Sequence, residues 1–361
     1  MPNTRIAIIG AGLAGLYAAY RLHRKGIEFD LFEARDRVGG RILSTNSGGL
    51  DLGPTWFWPD FQPRLHALAQ ELGLPVFEQH EAGDMLLERA RGGIVRHAAY
   101  RSGNQSMRFE GSTARLIQAL LIHLPGERLH LNAQVTAASQ RDSGVSIELS
   151  DGQSGTARYS QLWLAIPPRL AARIAFTPTL SERCSERLAT VPTWMAGHAK
   201  YMARFPHAFW REQGLSGGAL SSVGPLGEIH DASNSATAAL FGFFAIGALQ
   251  RKALGDTALR SLCRHQLARL FGTDAGEPLE DWIQDWATEA FTATPRDQIC
   301  PRSHDTYDLN KCIDGSWATH MVLIGSEASG EQAGYMEGAL LAADLALRHT
   351  HQQSLQRDSL A

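Results

Sequence analysis

The sequence predicts an α/β fold in which a parallel sheet is joined by a second layer built on an antiparallel sheet. Three observations predict it. A buried-strand pattern from Arg5 to Ile9 leads directly into a glycine-rich turn and an amphipathic helix. A second strand–loop–helix pattern runs from Val322 to Leu345. Between them, the segment from Trp194 to Phe244 alternates apolar and polar residues, as antiparallel strands do.

The composition bounds the class of protein. The chain has 361 residues, enough for about two domains with a sizeable core. Hydrophobic residues make up 44% and charged residues 20%, which excludes a disordered or fibrous chain. With 34 Lys and Arg against 37 Asp and Glu, the net charge is -3. This balance gives no electrostatic reason to expect nucleic acid or an anionic membrane as a partner.

Neither a membrane segment nor a targeting segment is predicted. The longest apolar stretch, Ala238 to Leu249, is too short to cross a bilayer, and residues 351–357 are polar. Because the first strand begins at Arg5, it leaves no room for a signal sequence ahead of it. We therefore expect a cytoplasmic protein.

Metal sites and disulfides are disfavoured by residue spacing. The four cysteines form no CxxC pair, so reduced thiols are expected at Cys184, Cys263, Cys300 and Cys312. The 14 histidines show no HExxH or other ligand spacing.

The first element of the fold is a candidate nucleotide site. The run Gly10-Ala11-Gly12-Leu13-Ala14-Gly15 follows the first strand and opens a helix, and the next strand ends at Glu33. Gly10 permits a tight turn, Gly12 lets a pyrophosphate approach the backbone, and Gly15 lets helix and strand pack closely. Glycine-rich turns also occur for packing alone, but strand, helix and acidic residue in this order favour a Rossmann-type dinucleotide site.

The next residues indicate which dinucleotide binds. The stretch from Glu33 to Arg41 contains the pair Gly39-Gly40, and Leu50 to Trp56 follows it. A paired glycine gives the ribityl chain and second phosphate of a flavin dinucleotide a slot of bare backbone. Here the chain resembles the flavin-containing amine oxidase family, which includes monoamine and polyamine oxidases. An NAD-linked dehydrogenase is disfavoured by Gly39-Gly40-Arg41 and by the segment around Glu327.

The resemblance returns in the C-terminal segment. A buried-strand pattern at Val322-Leu323-Ile324 leads to Glu327, and the helix that follows begins near Tyr335. The resemblance implies that Glu327 lies near the ribityl chain and that the helix directs N–H groups at the flavin ring. A strand–loop–helix that only completes the sheet is the alternative.

The middle of the chain is also similar to the family. Leu129 to Val135 resembles a strand that places the Val135 backbone amide beside the adenine. Ser160 to Ile166 is typical of a buried strand, which Pro167-Pro168 ends. The resemblance thus touches both ends and the centre of the chain.

The resemblance implies a GR2-like FAD-binding domain and a non-covalently bound FAD, because no cysteine stands where the flavin would be bonded. Transferred position by position, it assigns the cofactor site to Gly10, Ala11, Gly12, Leu13, Ala14, Gly15, Glu33, Ala34, Arg35, Gly39, Gly40, Arg41, Gly53, Pro54, Thr55, Trp56, Val135, Trp286, Glu327, Tyr335 and Met336.

These anchors predict a discontinuous FAD-binding domain and an interleaved α+β substrate domain. The first comprises residues 1–79, 111–189 and 289–361, and the second residues 80–110 and 190–288. Helical spacing predicts an amphipathic helix over Asp256 to Leu270. In the family the first substrate-domain insertion is longer and largely helical, so a more open cavity is expected here.

Two residues are assigned catalytic roles by the resemblance. Lys200 would hold a water against flavin N5, whereas a solvated lysine on an outward strand face is the alternative. Tyr335 would form one wall of an aromatic slot that orients the amine. After Trp286 there is no tyrosine at the place expected for the second wall. The run Trp56-Phe57-Trp58 could supply that surface, although such runs are more often core or interface.

The implied reaction is oxidation of an amine to an imine by hydride transfer to flavin N5, with O₂ as acceptor and H₂O₂ as product. The sequence leaves open an amino-acid oxidase, with Arg204 or Arg211 pairing the substrate carboxylate, or a desaturase. It also leaves open a non-catalytic flavoprotein. The substrate, the electron acceptor and the oligomeric state are not specified by it.

Overall fold

The computed structural model describes residues 5–98, 105–141, 144–152, 157–299 and 306–358; Cys300 lies outside them. In chain order the strands are β1 (Ile6–Ile9), β2 (Phe29–Phe32), β3 (Val76–Glu78), β4 (Asp84–Arg89), β5 (Gly93–His97), β6 (Met107–Phe109), β7 (Leu129–His130), β8 (Val135–Arg141), β9 (Gly144–Leu149), β10 (Gln161–Leu164), β11 (Ala175–Thr177), β12 (Ala199–Phe205), β13 (Leu215–Ser221), β14 (Leu226–Asp231), β15 (Ala238–Phe244), β16 (Glu280–Asp285) and β17 (Met321–Leu323). The α-helices are α1 (Leu13–Arg24), α2 (Pro63–Glu71), α3 (Ala114–Ile122), α4 (Pro168–Ala171), α5 (Glu182–Thr190), α6 (Phe209–Glu212), α7 (Ala248–Leu254), α8 (Asp256–Phe271) and α9 (Met336–Asp358).

A five-stranded parallel sheet, in the order β17-β10-β1-β2-β7, forms the first layer. Its central strands are buried on both faces, which explains why they are continuous apolar runs rather than alternating ones. Strand β17 lies beside β10 although about 160 residues separate them, so the C-terminal segment completes the sheet that the N-terminal segment begins. The predicted α/β class is confirmed.

The two ends of the chain share one hydrophobic core. Leu16 and Tyr17 of α1 lie in the same buried cluster as Leu340 and Ala343 of α9. The Tyr17 hydroxyl also donates a hydrogen bond to Asp344 Oδ1 at 3.0 Å. This packing brings the start of α9 to the side of the sheet where α1 begins.

The second layer is a seven-stranded sheet in the order β16-β12-β15-β14-β13-β4-β5. Its pairs are antiparallel except for β13 with β4. The antiparallel substrate-side sheet and the helix now seen as α8 were both predicted. These strands fall within residues 80–110 and 190–288, but the proposed division into domains stays a prediction.

Two local predictions are corrected. Leu129 to Val135 is not one strand, because β7 ends at His130 and the chain turns at Asn132, whose φ is 55°. Val135 instead begins β8 of a separate three-stranded sheet. The sequence also predicts a glycine-rich break between strands at Gly217-Gly218, and this prediction is wrong. Gly217, at φ 79°, lies within β13, and the pairing register of that strand shifts between Leu215 and Ala219.

The described cysteines are free and buried. Cys184 and Cys312 are far apart in sequence, yet their Sγ atoms lie 3.2 Å apart in the core beside the parallel sheet. Cys263 lies under the seven-stranded sheet. In the part of the chain that the structure describes, no helix combines the length and the apolar character needed to cross a bilayer.

Candidate active site

A cavity of about 600 Å³ runs between the two sheets and collects residues from both ends and the middle of the chain. Lys200 and Tyr335 both line it. The other predicted site residues that line it are Gly10, Gly12, Leu13, Ala14, Glu33, Ala34, Arg35, Gly39, Gly40, Arg41, Gly53, Pro54, Thr55, Trp56, Val135, Trp286 and Met336.

Three predicted cofactor residues stand behind the cavity wall instead of lining it. The Ala11 N–H donates a hydrogen bond to Glu33 Oε2 at 2.8 Å and so orients that carboxylate. A Cβ at Gly15 would lie 1.9 Å from the Gly10 carbonyl oxygen, so Gly15 lets α1 pack against the turn before it. Glu327 acts through Arg41, as described below.

The glycine turn at residues 10–12 shapes the first end of the cavity. Gly10 has φ 102°, and a Cβ there would lie 2.7 Å from Ile166. At Gly12 a Cβ would have only the Gly40 Cα within 4 Å, at 3.9 Å. Helix α1 then begins with no side chain capping it and no acidic residue in its first turn. Its free N–H groups and positive end therefore suit a phosphate.

Glu33 lies beside this turn at the end of β2. Its buried carboxylate accepts hydrogen bonds from the N–H groups of Ala11, at 2.8 Å, and Arg35, at 3.0 Å. Each carboxylate oxygen can accept more than one hydrogen bond. The fixed carboxylate at the cavity wall can therefore also accept hydrogens from a ribose.

The glycine pair packs onto the first turn. Gly39 and Gly40 have φ 98° and 57°, and the Gly39 N–H donates to the Ala11 carbonyl at 2.8 Å. A Cβ on Gly40 would lie 3.2 Å from the Gly12 Cα. The pair therefore serves two purposes, since it allows two backbone segments to touch and leaves bare backbone at the cavity wall.

Arg41 follows the pair and is held by a bidentate ion pair. Its Nη1 and Nη2 lie 2.7 and 3.1 Å from Glu327 Oε1 and Oε2, and Nη2 also donates to Ser326 Oγ at 3.0 Å. Burial raises the pKa of Glu327, but the Arg41 guanidinium outweighs it and holds that pKa below its usual value. The pair locks an N-terminal loop to the C-terminal segment.

At the other end of the cavity, residues 51–55 are held by hydrogen bonds that Lys200 and Trp286 donate to their backbone carbonyl groups and to the Thr55 hydroxyl. Lys200 Nζ donates to Asp51 O at 3.0 Å, Gly53 O at 2.6 Å and Thr55 Oγ1 at 2.7 Å. Trp286 Nε1 donates to the intervening Leu52 carbonyl at 3.2 Å. All three N–H donors of the ammonium are thus engaged by the chain itself.

Lys200 lies on β12 with only 2% of its surface exposed. Its Nζ stands 4.5 Å from the ring centre of Phe241 and 5.4 Å from that of Phe243. Burial lowers the pKa of Lys200 to about 7, with the Asp51 carboxylate opposing the shift and Arg108 adding to it. The alternative of a solvated surface lysine is therefore wrong, whereas a role in holding water at the flavin stays a prediction.

The Trp56-Phe57-Trp58 run divides between cavity and core. Trp56 and Trp58 line the cavity, and their Nε1 groups donate outward to Gln79 at 2.7 Å and to Ser106 at 2.9 Å. Phe57 is fully buried and packs on another core ring at 5.1 Å. Two of the three residues thus join Tyr335 in an aromatic surface.

The arginines suggested for a carboxylate substrate do not line this cavity. Arg204 pairs with Glu280 at 3.0 Å. Arg211 makes a bidentate pair with Asp231 at 2.8 and 2.9 Å. The prediction that Arg204 or Arg211 pairs with a substrate carboxylate in this cavity is therefore wrong.

Sequence reasoning missed five residues that line the far end: Gln62, Trp194, Met195, His198 and Phe243. Burial, with Arg251 adding to it, lowers the pKa of His198, so this histidine stays neutral at neutral pH. Trp194 packs where a Cβ of Gly334 would stand, 2.5 Å from its own Cβ. Of the five, only Gln62 carries a sequence signal, because it precedes a proline that opens a helix.

Comparisons with known proteins agree with this geometry. The family model described as flavin containing amine oxidoreductase matches residues 83–346, and that of an NAD(P)-binding Rossmann-like domain matches residues 8–72. The chain is 26% identical to the putative flavin-containing monoamine oxidase AofH of Mycobacterium tuberculosis strain H37Rv, over 93% of this chain and 94% of that protein.

Two solved structures have a similar fold. One is cyclohexylamine oxidase from Brevibacterium oxydans IH-35A, with a TM-score of 0.83, 20% identity and coverage of 98% of this chain and 99% of that chain. The other is a wild-type putrescine oxidase bound to putrescine, with a TM-score of 0.79, 20% identity and coverage of 96% and 99%.

Proposed function

Since this chain belongs to the family of flavin-containing amine oxidoreductases, we propose that the aromatic end of its cavity converts a primary or secondary amine to the imine. FAD, when bound, supplies the acceptor for the hydride that leaves the carbon next to the amine nitrogen. One observation carries the proposal: a single cavity joins the phosphate-binding turn of α1 to an aromatic surface that includes Tyr335.

The residues present fit a dinucleotide. The open position at Gly12, the uncapped start of α1 and the carboxylate of Glu33 match two phosphates and a ribose. Val135 lines the cavity near Glu33 and would contact the adenine. No cysteine in the described part of the chain lines the cavity, which supports non-covalent binding.

The chain's own contribution is to bind the amine, exclude water and keep the amine uncharged. Trp56, Trp58, Phe243 and Tyr335 give the far end apolar walls suited to an organic substituent. Below about pH 7 the buried Lys200 carries a positive charge. A cation is unfavourable among these apolar walls, and more so when Lys200 is itself charged, so we propose that the amine binds in its neutral form.

Molecular oxygen is the proposed electron acceptor, with hydrogen peroxide as product. The support is that the similar proteins are named oxidases. A cytoplasmic location is also proposed, because the described cysteines are free thiols, which suit a reducing compartment.

A panel of aliphatic, aromatic and polyamine substrates tests the function. The purified, FAD-loaded protein is assayed for oxygen uptake and for peroxide production, and the amount of peroxide formed should equal the amount of oxygen consumed. We expect both with at least one class of amine. A flavin-loaded protein that consumes no oxygen and forms no peroxide with any class of amine would contradict the proposal. It would favour the alternative of a non-catalytic flavoprotein.

A further inference from the structure

Two buried thiols lie in contact in the core beside the parallel sheet. The Sγ atoms of Cys184 and Cys312 are 3.2 Å apart, so a covalent bond between them needs only a small shift of the two side chains. Cys184 is completely buried and Cys312 is 4% exposed. Neither residue lines the cavity, so the amine chemistry proposed above does not account for their contact.

The pair lies just beneath the surface of the protein. Cys184 belongs to α5, in which the residues on either side of it are exposed. Cys312 ends a short 3₁₀ turn (Leu309–Cys312), and its neighbour Lys311 is largely exposed. Local opening of one surface helix therefore brings a small oxidant to Cys312. Cys184 needs no such access, because the atom with which it reacts is the sulfur already beside it.

The two thiols differ in acidity. The hydrogen bond from the Cys184 thiol lowers the pKa of Cys312, and the guanidinium groups of Arg187 and Arg183 add to this shift, while burial opposes it. The same hydrogen bond, together with burial, raises the pKa of Cys184. Cys312 is therefore the thiol that reacts first with an oxidant, since the thiolate is the reactive form.

We propose that Cys184 and Cys312 are a site of reversible oxidation by peroxide, which joins them in a disulfide. The Cys312 sulfur attacks one oxygen of hydrogen peroxide, the O–O bond breaks to give a sulfenic acid, and the departing hydroxide takes up the thiol proton as water. The Cys184 thiol then attacks the sulfenic sulfur, so that the S–S bond forms, the S–O bond breaks and a second water leaves. Two thiols thus lose two electrons and two protons, and one peroxide is reduced to two waters.

The new bond would staple two segments that both lead to the Arg41–Glu327 pair. After α5 the chain continues to Trp194, whose carbonyl accepts a hydrogen bond from Arg41 Nη1 at 3.2 Å. The turn that carries Cys312 is tied to a β17 carbonyl by a 2.9 Å hydrogen bond from Asn310 Nδ2, and β17 leads to Glu327. The disulfide therefore stabilises the folded protein while peroxide is present. Because disulfides that respond to oxidants also occur transiently in reducing compartments, the site is compatible with the location proposed above.

The experiment treats the FAD-loaded protein with hydrogen peroxide, alkylates the remaining thiols under denaturing conditions and maps the peptides without reduction. We expect one cross-linked pair of peptides that contains Cys184 and Cys312, its conversion by dithiothreitol to two separate peptides, and Cys263 still alkylated as a free thiol. Because the bond closes a loop across 128 positions, the oxidised protein should melt about 5 °C or more above the reduced protein.

Cys184→Ser and Cys312→Ser remove one partner each, and Cys263→Ser is the matched control, because Cys263 is also buried but lies under the other sheet. We expect peroxide to raise the melting temperature of wild type and of the control, but of neither single-partner variant. In Cys184→Ser, Cys312 should instead be oxidised to the sulfinic acid, since no second thiol captures the sulfenic acid. The peptide map of wild type carries the test if a variant does not fold.

Three results would overturn the proposal: both thiols still alkylated after peroxide treatment, a cross-link that joins either of them to a different cysteine, or a bond between them that leaves the melting temperature unchanged. Hydrogen peroxide is added directly, so the outcome does not depend on the proposed function. A second sample receives an amine in place of peroxide. A disulfide that forms with added peroxide but with no class of amine supports the thiol pair and counts against the oxidase reaction.

Discussion

The two ends of the cavity are built in different ways. The dinucleotide end consists largely of backbone from two short segments, in which Gly10, Gly12 and Gly40 leave space that a side chain would fill. The aromatic end consists of side chains such as Lys200 and Tyr335, which come from distant parts of the chain. At the dinucleotide end, the absence of a Cβ on each glycine leaves space beside the backbone. At the aromatic end, side chains such as Lys200 form the wall and are held in place by hydrogen bonds.

Because of this difference, we expect substitutions at the two ends of the cavity to damage the protein in different ways. Adding a Cβ at the backbone end creates a collision that the packed core can relieve only by moving. Removing a side chain at the aromatic end costs hydrogen bonds one at a time, and with titratable groups the cost depends on pH. The following changes test whether the two ends differ in this manner.

The largest effect is expected from Gly15→Ala. Its Cβ would lie 1.9 Å from the Gly10 carbonyl oxygen, so α1 must move away from the turn. We expect a loss of about 3 kcal/mol or more, seen as a roughly 100-fold weaker affinity for FAD or as a protein that does not fold. Flavin content and thermal unfolding measure it.

Gly247→Ala is the control, because a Cβ there meets nothing within 4 Å. It should retain the flavin content and melting temperature of wild type. A Gly15→Ala protein with full flavin content would show that the backbone end tolerates a collision, and would remove the contrast between the two ends.

Next in size is Glu327→Gln, which breaks the bidentate pair that joins the two chain ends. Leaving Arg41 beside a neutral amide should destabilise the protein by about 3 kcal/mol at neutral pH. The folded-state pKa of Glu327 is lowered, so its stabilising contribution is present above the unfolded-state pKa and is lost as pH falls through the folded-state pKa. Urea unfolding should therefore show a difference from wild type that shrinks in acid.

Glu280→Gln serves as the comparison on the surface. Glu280 pairs with Arg204 at 3.0 Å, but both side chains are substantially exposed, so less than about 1 kcal/mol should be lost. Equal losses in the two variants would mean that the Arg41–Glu327 pair does not lock the cavity.

Lys200→Met should have an intermediate effect on catalysis and a distinct effect on pH dependence. Releasing the carbonyl groups of Asp51 and Gly53 should lower kcat/KM about tenfold. Between about pH 7 and 10.5 the unfolded chain holds a proton on Lys200 that the folded chain does not, so this group makes wild type more stable as pH rises. The variant should lack that rise in urea unfolding.

The same pH series on an exposed lysine, Lys252→Met, provides the control. It should follow the wild-type curve. A Lys200→Met protein that also follows the wild-type curve would mean that Lys200 titrates as an ordinary lysine in the folded chain.

The smallest effect is expected from Trp58→Phe. The ring surface is largely kept while the 2.9 Å hydrogen bond to Ser106 is lost, so KM should rise by about 2- to 3-fold. Ser106→Ala removes the same bond from its other partner and should give a similar rise. Kinetics of the two single variants and the double variant check this, since additive effects would show that the bond does not position Trp58.

The backbone end could be predicted from the sequence, and the aromatic end only in part. Glycine spacing between a strand and a helix directly encodes the turn at residues 10–15, because only glycine leaves that space. Two of the three acceptors of Lys200 are backbone carbonyls about 150 residues away, and carbonyls have no sequence signature.

Errors elsewhere have the same physical origin. The residues from Leu129 to Val135 have a strand-like composition, but Asn132 accepts a positive φ and redirects the chain into a second sheet. A related case, which contradicts no prediction, is the contact of Cys184 with Cys312: they are far apart in sequence and meet only because α5 packs beside the segment before β17. Tertiary packing decides where such a segment ends and which distant residues come into contact, and the local sequence pattern does not contain this information.

Anaerobic titration of the purified protein with an amine tests the central claim, namely that one cavity holds FAD at its glycine end and an amine at its aromatic end. We predict that the protein shows the visible absorption band of a flavin, releases FAD on heat denaturation, and loses that band on addition of an amine without oxygen. A colourless protein that takes up no FAD, or a flavin band that no class of amine alters, would contradict the account.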